Sequence, residues 1–278
     1  MVAVFVIFVR EGIEASMIVS ILLAFLDRAG AREHFKDVLT GVAAALVLAT
    51  GGAVAIYFTI RNYDGTRFQT IFETGTYLLA VVVLTYMTFW MRSHARSLSS
   101  DLRTRAEQAM GRGERLGLGL LAFQAVGREG LETAIFTLAI VFATGTKGAI
   151  WGALAGLIVA LAVAAAMYRF GRRLNLGTFF TVIGTLLMVF AAGLVADIVE
   201  NLQQLGWIRL FDHPLWNSER FVSEGSSLGD VFHSLFGYAD HPTVLQLVSY
   251  FGYLGLVLMS FVLLARRARR QRLEVQHS

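Results

Sequence analysis

The sequence predicts an all-α polytopic membrane protein with seven transmembrane helices. Of the 278 residues, 56% are hydrophobic and only two are prolines, and the mean hydropathy is +0.61. A soluble domain of this size could not bury so much apolar surface. Apolar runs long enough to cross a bilayer, roughly 20 residues, recur along the chain. They lie near residues 2–26, 38–60, 71–91, 117–142, 148–169, 177–199 and 243–264.

The connections between these runs predict the orientation of the chain. Three, six, three and five Lys and Arg residues lie in segments 27–37, 92–116, 169–176 and the tail 265–278, and the other connections hold five in all. Cytoplasmic loops carry the excess of basic residues in membrane proteins. We therefore expect an external N-terminus, an external loop over 201–242 and a basic cytoplasmic tail.

Composition also excludes several classes of function. The chain has no cysteine, so disulfides, thiolate metal sites and thiol chemistry are excluded. Its formal net charge of +4 is explained by cytoplasmic loops, so we expect no nucleic-acid partner. The first apolar run is as long as a full span and lacks a preceding basic flank, so we expect no cleavable signal peptide.

A five-residue motif occurs twice inside the apolar runs, as Arg10-Glu11-Gly12-Ile13-Glu14 and as Arg128-Glu129-Gly130-Leu131-Glu132. An ionisable side chain at the centre of a membrane costs roughly 2.5 to 3.5 kcal/mol and is usually functional. On a helix, Glu14 lies roughly 18 Å from the outer end of the first span, and Glu132 roughly 22 Å from the inner end of the fourth. Both copies are therefore expected near the midplane.

The two copies lie on spans of opposite direction, which indicates an inverted repeat. Residues 1–92 hold spans one to three, residues 117–200 hold spans four to six, and the span at 243–264 is an addition. The lead-ins to the third and sixth spans also share a Gly-Thr-x-Phe core. Inverted repeats place a binding site near the midplane, at the interface between the repeats.

The chemistry of the motif suits a hard cation. Glutamates three residues apart share one face of a helix, and two such faces together offer up to eight oxygens, the ligand type that hard ions favour. Arg10 and Arg128 would balance this charge when no ion is bound, while Gly12 and Gly130 allow helices to approach closely. The predicted metal ligands are Glu11, Glu14, Glu129 and Glu132.

Other roles for the motif remain open at this point. One is a purely structural Arg–Glu network that joins the first and fourth spans. A di-iron oxidase would need Glu-x-x-His pairs, but Ala15 and Thr133 follow the second glutamates. An intramembrane hydrolase would need a nucleophile or an activated water, and four acids with two arginines suit ion binding better. Transport of manganese, lead or a proton-coupled solute is a further alternative.

Outside the motif, three acids at external span ends are candidates for an entry vestibule: Glu73, Asp197 and Glu200. The alternative is that they are ordinary charges at helix ends. The acidic external loop is expected to collect metal ions or to dock a partner, or else to be merely solvated. Residues 228–235 are expected to form a short interfacial or re-entrant helix. On the inner side, we expect residues 96–112 to lie on the membrane surface, with Leu102 and Ala106 on one face.

The doubled Arg-Glu-Gly-x-Glu motif in a seven-span chain resembles the oxidase-dependent iron transporter family, which has bacterial EfeU-type and fungal high-affinity iron permease branches. The resemblance to the bacterial branch covers nearly the whole chain. It is carried further by four short segments in the same order, Phe89-Trp90-Met91-Arg92, Arg173-Leu174-Asn175-Leu176-Gly177, Ala191-Ala192-Gly193-Leu194 and Phe236-Gly237-Tyr238.

This resemblance implies an iron permease of the cytoplasmic membrane and not an enzyme. It implies that the four motif glutamates carry the ion and that Fe(III), produced by an external oxidase or peroxidase partner, is the transported form. Iron would be a substrate, and no cofactor would be permanently bound. We expect the two repeats to rock against each other so that the site opens first outward and then inward.

Overall fold

A computed structural model describes residues 1–94, 102, 104–108, 115–146, 148–170, 176–223 and 226–277. The named elements in these residues are all helices, which confirms the predicted fold class at this level. A single 3-10 turn, Arg32–His34, joins the first two. The α-helices are α1 Val2–Arg28, α2 Phe35–Arg61, α3 Arg67–His94, α4 Arg115–Thr144, α5 Ala149–Phe170, α6 Leu176–Gln204, α7 Ser227–Phe236 and α8 Val244–His277.

Within the described residues, four helical stretches are long and apolar enough to cross a membrane: Arg32–Arg61, Arg67–Met91, Thr181–Gln204 and Val244–Phe261. They correspond to the second, third, sixth and seventh predicted spans. Helices α1 and α4, with 27 and 30 residues, are also long enough to cross a membrane, but each carries the three charges of its motif among its apolar residues. Helix α5 has a shorter apolar stretch, Ala149–Ala165. The count of seven spans remains a prediction.

The contacts between helix ends define two faces of the bundle. Helices α1, α3, α5 and α8 begin at one face, which we call the N-terminal face, and α6 ends there. Gly148 at the start of α5 lies against Met1, and the Arg67 guanidinium donates to the carbonyl of Leu205, just after α6, at 3.1 Å. Helices α2 and α4 begin at the opposite face, where Gly41 lies against the Gly119 carbonyl.

Two hydrophobic clusters show that α1 and α4 run antiparallel. In the first cluster, the beginning of α1 meets the end of α4, with further residues from α3, α5 and α6. In the second cluster, the end of α1 meets the beginning of α4. The first cluster includes Val4, Ile7, Leu84, Phe136, Ile140, Phe190 and Leu194. The second includes Ile18, Leu22, Leu26, Val38, Leu118, Ala122 and Val126. The predicted opposite directions of the two motif helices are therefore seen in their packing.

Each motif helix packs most closely against the second helix of the other half of the chain, α1 against α5 and α4 against α2. The contacts occur at the motif glycines. A Cβ on Gly12 would lie 2.6 Å from the Cβ of Ala160, and a Cβ on Gly130 would lie 2.9 Å from the Cβ of Ala49. Neither glycine can gain a side chain without a shift of the neighbouring helix.

The same pattern continues towards the starts of α2 and α5. Gly152 lies against the carbonyl of Met1, and Gly41 lies against the carbonyl of Gly119. Gly152 lies eight residues before Ala160, and Gly41 lies eight residues before Ala49. The α1–α5 and α4–α2 pairs therefore make equivalent contacts along their length. Small residues at four-residue spacing allow this approach, because they leave the backbones room to touch.

Two short segments cover the ends of the crossing between α1 and α4. Helix α7, over the predicted residues 228–235, contacts α1, α4 and α6. Ser226 caps the start of α7, where its hydroxyl accepts a hydrogen bond from the Gly229 amide. Gly237, which has a φ of +65°, caps the end.

At the opposite face, Leu102 and Ala106 are buried in the second cluster. This part of segment 96–112 therefore packs on the protein, which corrects its predicted position on the membrane surface; the remainder lies largely outside the described residues.

Candidate metal centre

The crossing of α1 and α4 brings carboxylates from the two motifs together. Glu11, Glu14 and Glu129 each offer an oxygen, and these three oxygens lie within 4.8 Å of one another. All three residues are buried, with 1 to 2% of their surface exposed. The helix spacing places Glu11 and Glu14 on one face of α1, and the antiparallel crossing supplies Glu129 from α4.

The fourth predicted ligand, Glu132, lies beside this group and is not one of the three converging carboxylates. One of its oxygens is 3.6 Å from the Arg128 Nε, and its side chain is 13% exposed. The structure thus places Glu132 next to the site, on its more open side.

Each of the four glutamates keeps one buried oxygen that accepts no hydrogen bond: Glu11 Oε2, Glu14 Oε1, Glu129 Oε2 and Glu132 Oε2. Leaving a buried carboxylate oxygen unsatisfied costs free energy, more than for a neutral group. A cation would satisfy such oxygens, so the residues present fit an oxygen-coordinated ion, although Glu14 Oε1 also lies 3.3 Å from the Arg10 Nε.

The arginine of the first motif is fully enclosed. Its Nη1 lies 2.7 Å from Glu11 Oε1, and its Nε lies 3.3 Å from Glu14 Oε1. Only 3% of the Arg10 side chain is exposed. Arg10 therefore neutralises part of the carboxylate charge from inside the protein.

The arginine of the second motif has a different environment. Arg128 Nη2 lies 2.7 Å from Glu129 Oε1, but 44% of the Arg128 side chain is exposed. Its guanidinium carbon sits 5.1 Å from the ring centroid of Trp90 on α3, a cation–π contact. The two motifs match in sequence but not in exposure, and the open side of the site is the side of Arg128.

The charges of the motif residues favour a cation. Four carboxylates and two guanidiniums carry a net charge of −2 when all are ionised. The converging group contains only carboxylate ligands, with no imidazole or thiolate. Oxygen-only ligand sets favour hard ions such as Mg²⁺, Ca²⁺, Mn²⁺ or iron over soft ones. The arrangement can therefore bind a hard cation between two helices and release it if they separate.

The three predicted vestibule residues lie near the N-terminal face. Glu73 accepts a hydrogen bond from Gln69, and Asp197 Oδ2 is 3.9 Å from His233 Nε2 on α7. Glu200 accepts from Gln246 at 3.0 Å. Each of the three carboxylates therefore has a polar partner within the protein.

Glu200 also lines a cavity of about 480 Å³ at this face. The cavity is bordered by two loop acids, Asp212 and Asp240, and by His241, whose Nδ1 lies 2.7 Å from an Asp240 oxygen. Glu73 and Asp197 do not line it. Of the three predicted vestibule residues, Glu200 therefore borders a cavity, and Asp197 lies against His233 of α7.

Sequence reasoning missed several residues that shape the site. Trp90 was identified only as part of a short segment, although its ring makes the cation–π contact with Arg128. Ala49 and Ala160 were passed over, although each lies directly against a motif glycine. The sequence did contain a signal for these contacts, because small residues at four-residue spacing mark positions where helices pack closely. Helix α2 has Gly41, Ala45 and Ala49, and helix α5 has Gly152, Gly156 and Ala160.

Comparison with known proteins agrees with this architecture. Residues 1–272 match the model of the iron permease FTR1 family. The chain is 34% identical to the ferrous iron permease EfeU of Escherichia coli O6:K15:H31 (strain 536 / UPEC) over 264 residues, which cover 93% of this chain and 94% of the relative. The ferrous iron permease EfeU of Yersinia pestis is 34% identical over 261 residues, covering 93% and 92%.

A third relative, the ferrous iron permease EfeU of Shigella sonnei (strain Ss046), is 33% identical over 264 residues. No solved structure matches the chain. The match along nearly the whole length indicates a membrane protein that transports iron and is not an enzyme. The chain therefore belongs to the iron permease FTR1 family.

Proposed function

We propose that this permease moves iron across the cytoplasmic membrane through the carboxylate site between α1 and α4. The observation that carries this proposal is the convergence of three buried glutamates from two antiparallel helices, each with an oxygen that accepts no hydrogen bond. A structural Arg–Glu network would not need four carboxylates for two arginines. Glu132, beside the group, would complete the ligand set when α1 and α4 move relative to each other.

The protein works as a seven-span inverted repeat, α1 to α3 against α4 to α6, with α8 as the added span. The matched packing supports this: α1 lies on α5, α4 lies on α2, and α3 lies on α6. Gly12 against Ala160 and Gly130 against Ala49 are equivalent contacts in the two halves. In this arrangement one repeat rocks against the other about the shared site, as in other inverted-repeat transporters.

The N-terminal face is the external face of the membrane, and the C-terminus is cytoplasmic. The basic residues of the connections support this orientation. Iron would then enter from the side of Glu73, Asp197 and Glu200, whose negative charge raises the local concentration of cations. It would leave on the side of Arg128, where the site is already more exposed.

The oxidation state of the transported iron has two candidates. The family resemblance implies Fe(III) delivered by an external oxidase or iron-binding partner, and the acidic external cavity is a suitable receiving surface. Fe(II) is favoured by the net charge of −2 in the motifs, which a divalent ion balances, and the relatives are named ferrous iron permeases. Another hard or heavy cation, Mn²⁺ or Pb²⁺, is a further candidate.

Purified protein in liposomes tests the proposal. We expect radioactive iron to accumulate inside, and we expect Glu14→Gln and Glu129→Gln to abolish accumulation while still inserting into the bilayer. Supplying iron with ascorbate or as ferric citrate distinguishes Fe(II) from Fe(III), and excess Mn²⁺ or Pb²⁺ tests the competing ions. Accumulation by both variants at the rate of the unaltered protein would refute the carboxylate site.

A further inference from the structure

Helix α7 lies where the path from the N-terminal face to the buried glutamates would run. It contacts α1 and α4, the two helices that carry the motifs, as well as α6. Its residue Leu235 packs against the first hydrophobic cluster, which includes Ile7 and Phe136. Ile7 lies two turns before Glu14, and Phe136 lies one turn after Glu132. The helix therefore covers the cluster that covers the carboxylates.

The end of α7 reaches well into the bundle. A Cβ on Gly193 would lie 2.7 Å from the Cα of Gly237, so the two backbones touch. Gly193 is 11 residues before the end of α6, which places this contact roughly 16 Å below that end. Gly237 also has the left-handed conformation that glycine adopts most easily. The chain thus dips between the helices, turns at Gly237 and returns to α8.

Polar contacts hold α7 in this position. His233 is 9% exposed, its Nδ1 lies 2.8 Å from the Tyr238 carbonyl oxygen, and its Nε2 lies 3.9 Å from Asp197 Oδ2 on α6. The Tyr238 hydroxyl donates to the carbonyl of Val222 at 2.9 Å. These contacts join α7 to α6 and to its own loop, and Leu235 adds an apolar contact with the first cluster.

We propose that α7 is the gate of the permease on the N-terminal face, and that His233 and Asp197 are the positioning residues that hold it closed. The inference rests on the proposed function for its direction of transport, but the closure itself is a property of the packing. In this structure the gate is shut, because both the first cluster and the glutamates beneath it are buried. Iron reaches the glutamates when α7 and its Leu235 move away from the first cluster.

The chain contains no cysteine, so a single introduced thiol reports on one position. Ile7→Cys places a thiol in the first cluster, and Leu22→Cys places one in the second as a control. Gly193→Ala adds a methyl group that should push Gly237 away from α6. Its matched control is Gly255→Ala on α8, where no atom lies within 4 Å of the added Cβ. A membrane-impermeant thiol reagent is added from the side of the N-terminal face.

We expect Gly193→Ala to raise the labelling rate of Ile7→Cys about tenfold, which corresponds to about 1.4 kcal/mol of lost closure. Gly255→Ala should leave the rate unchanged, and Leu22→Cys should stay unlabelled in both. Leu235→Ala, which removes the apolar contact of α7 without adding a methyl group, should act in the same direction and serves if Gly193→Ala does not fold. Unchanged labelling in Gly193→Ala and Leu235→Ala would overturn the gate.

A second arm locks the gate. In Asp197→Cys/His233→Cys, a bifunctional methanethiosulfonate reagent should join α6 to α7 through two disulfides and lower iron uptake below the rate of the same variant before treatment, and a reducing agent should restore that starting rate. Each single variant, treated in the same way, shows the effect of the reagent without a cross-link. Uptake that continues in the cross-linked protein would refute the gate. Labelling that changes as expected in a protein that never accumulates iron would support the gate and count against the proposed function, so the two failures are distinguishable.

Discussion

Gly12 on α1 and Ala160 on α5 touch so closely that a Cβ on the glycine would lie 2.6 Å from the alanine Cβ. This contact lies between the two glutamates of the first motif in sequence. It therefore ties the position of Glu11 and Glu14 to the packing of α5. Gly130 and Ala49 make the corresponding contact behind Glu129, so each half of the site is supported by the other half of the chain.

Gly12→Ala should separate α1 from α5 and destabilise the protein. Adding a methyl group to a well-packed contact costs about 1 to 3 kcal/mol. We expect a lower melting temperature in detergent and slower iron uptake. Gly51→Ala, on α2 with no atom within 4 Å, is the control and should not lower stability. The double variant Gly12→Ala/Ala160→Gly should recover part of the loss; a double variant as unstable as Gly12→Ala would show that this contact is not the cause.

Glu129→Gln should remove iron binding while the fold is retained. It takes away one of the three converging carboxylates but keeps the shape of the side chain and its Arg128 neighbour. The melting temperature of the unaltered protein should rise with iron concentration, as expected for a ligand that binds only the folded state, and that of the variant should not. Glu33→Gln, whose parent side chain is 78% exposed, is the matched control. Equal iron-induced stabilisation of Glu129→Gln and the parent would contradict the assignment.

Glu132→Gln should separate transport from binding. Because Glu132 is outside the converging group and 13% exposed, we expect a smaller loss of equilibrium iron affinity than for Glu129→Gln. Uptake should nevertheless fall to background if Glu132 joins the ligand set as the helices move. Binding is measured by calorimetry in detergent and uptake in liposomes. Normal uptake by Glu132→Gln would remove this residue from the pathway.

Arg10→Gln should destabilise the iron-free protein more than Arg128→Gln. Arg10 is buried between Glu11 and Glu14, and breaking a buried ion pair by removing one partner costs about 3 to 5 kcal/mol. The Arg128 side chain is 44% exposed, so its ion pair with Glu129 is less enclosed and its loss should cost less. Added Fe(II) or Mn²⁺ should restore much of the Arg10→Gln stability, because a cation replaces the missing charge. Thermal unfolding with and without metal measures this, and equal destabilisation of both variants would contradict it.

Trp90→Leu should slow transport through its effect on Arg128. The ring supports the guanidinium from α3, a contact worth about 0.5 to 1 kcal/mol at a partly exposed position. We expect a two- to fivefold drop in the maximal uptake rate, which is about that energy expressed as a ratio, and little change in the iron concentration for half-maximal uptake. Trp90→Phe should keep most of the rate. Trp151→Leu, at an α5 position where tryptophan is 71% exposed, should have no effect.

The orientation can be read from single cysteines in intact cells. Asn62, between α2 and α3, should be external, and Ala29, between α1 and α2, should be cytoplasmic, because the basic residues collect on the second side. An impermeant thiol reagent should label Asn62→Cys at once and Ala29→Cys only after the cells are opened. The reverse pattern would invert the proposed entry and exit sides.

Much of this architecture was predictable from the sequence. Apolar runs predicted the ends of the first five helices to within four residues, because a bilayer core demands helices of a set length. Helix α8 instead continues to His277, 13 residues beyond the predicted end at 264. The doubled motif predicted a site on these two helices, because charges are costly inside an apolar run, and three of its four glutamates converge in the structure. The opposite directions of α1 and α4 followed from the positions of the basic loops and agree with the packing.

Other features depended on the tertiary structure. The two motifs differ only at their fourth residue, yet Arg10 is buried and the Arg128 side chain is 44% exposed. No local pattern encodes this difference, because it depends on which helices cover each side. The same holds for Leu102 and Ala106, which pack on the protein and not on the membrane surface, and for the convergence of Glu11 and Glu14 with Glu129 but not Glu132.

The sequence by itself determined the membrane setting, the helices and the carboxylates proposed to bind the ion. Only the tertiary structure decided which carboxylates meet, which arginine is enclosed and that α7 packs against the first cluster. The physical reason is range: hydropathy and helix periodicity act between residues close in the chain, whereas ion coordination and closure depend on side chains brought together from helices more than 100 residues apart.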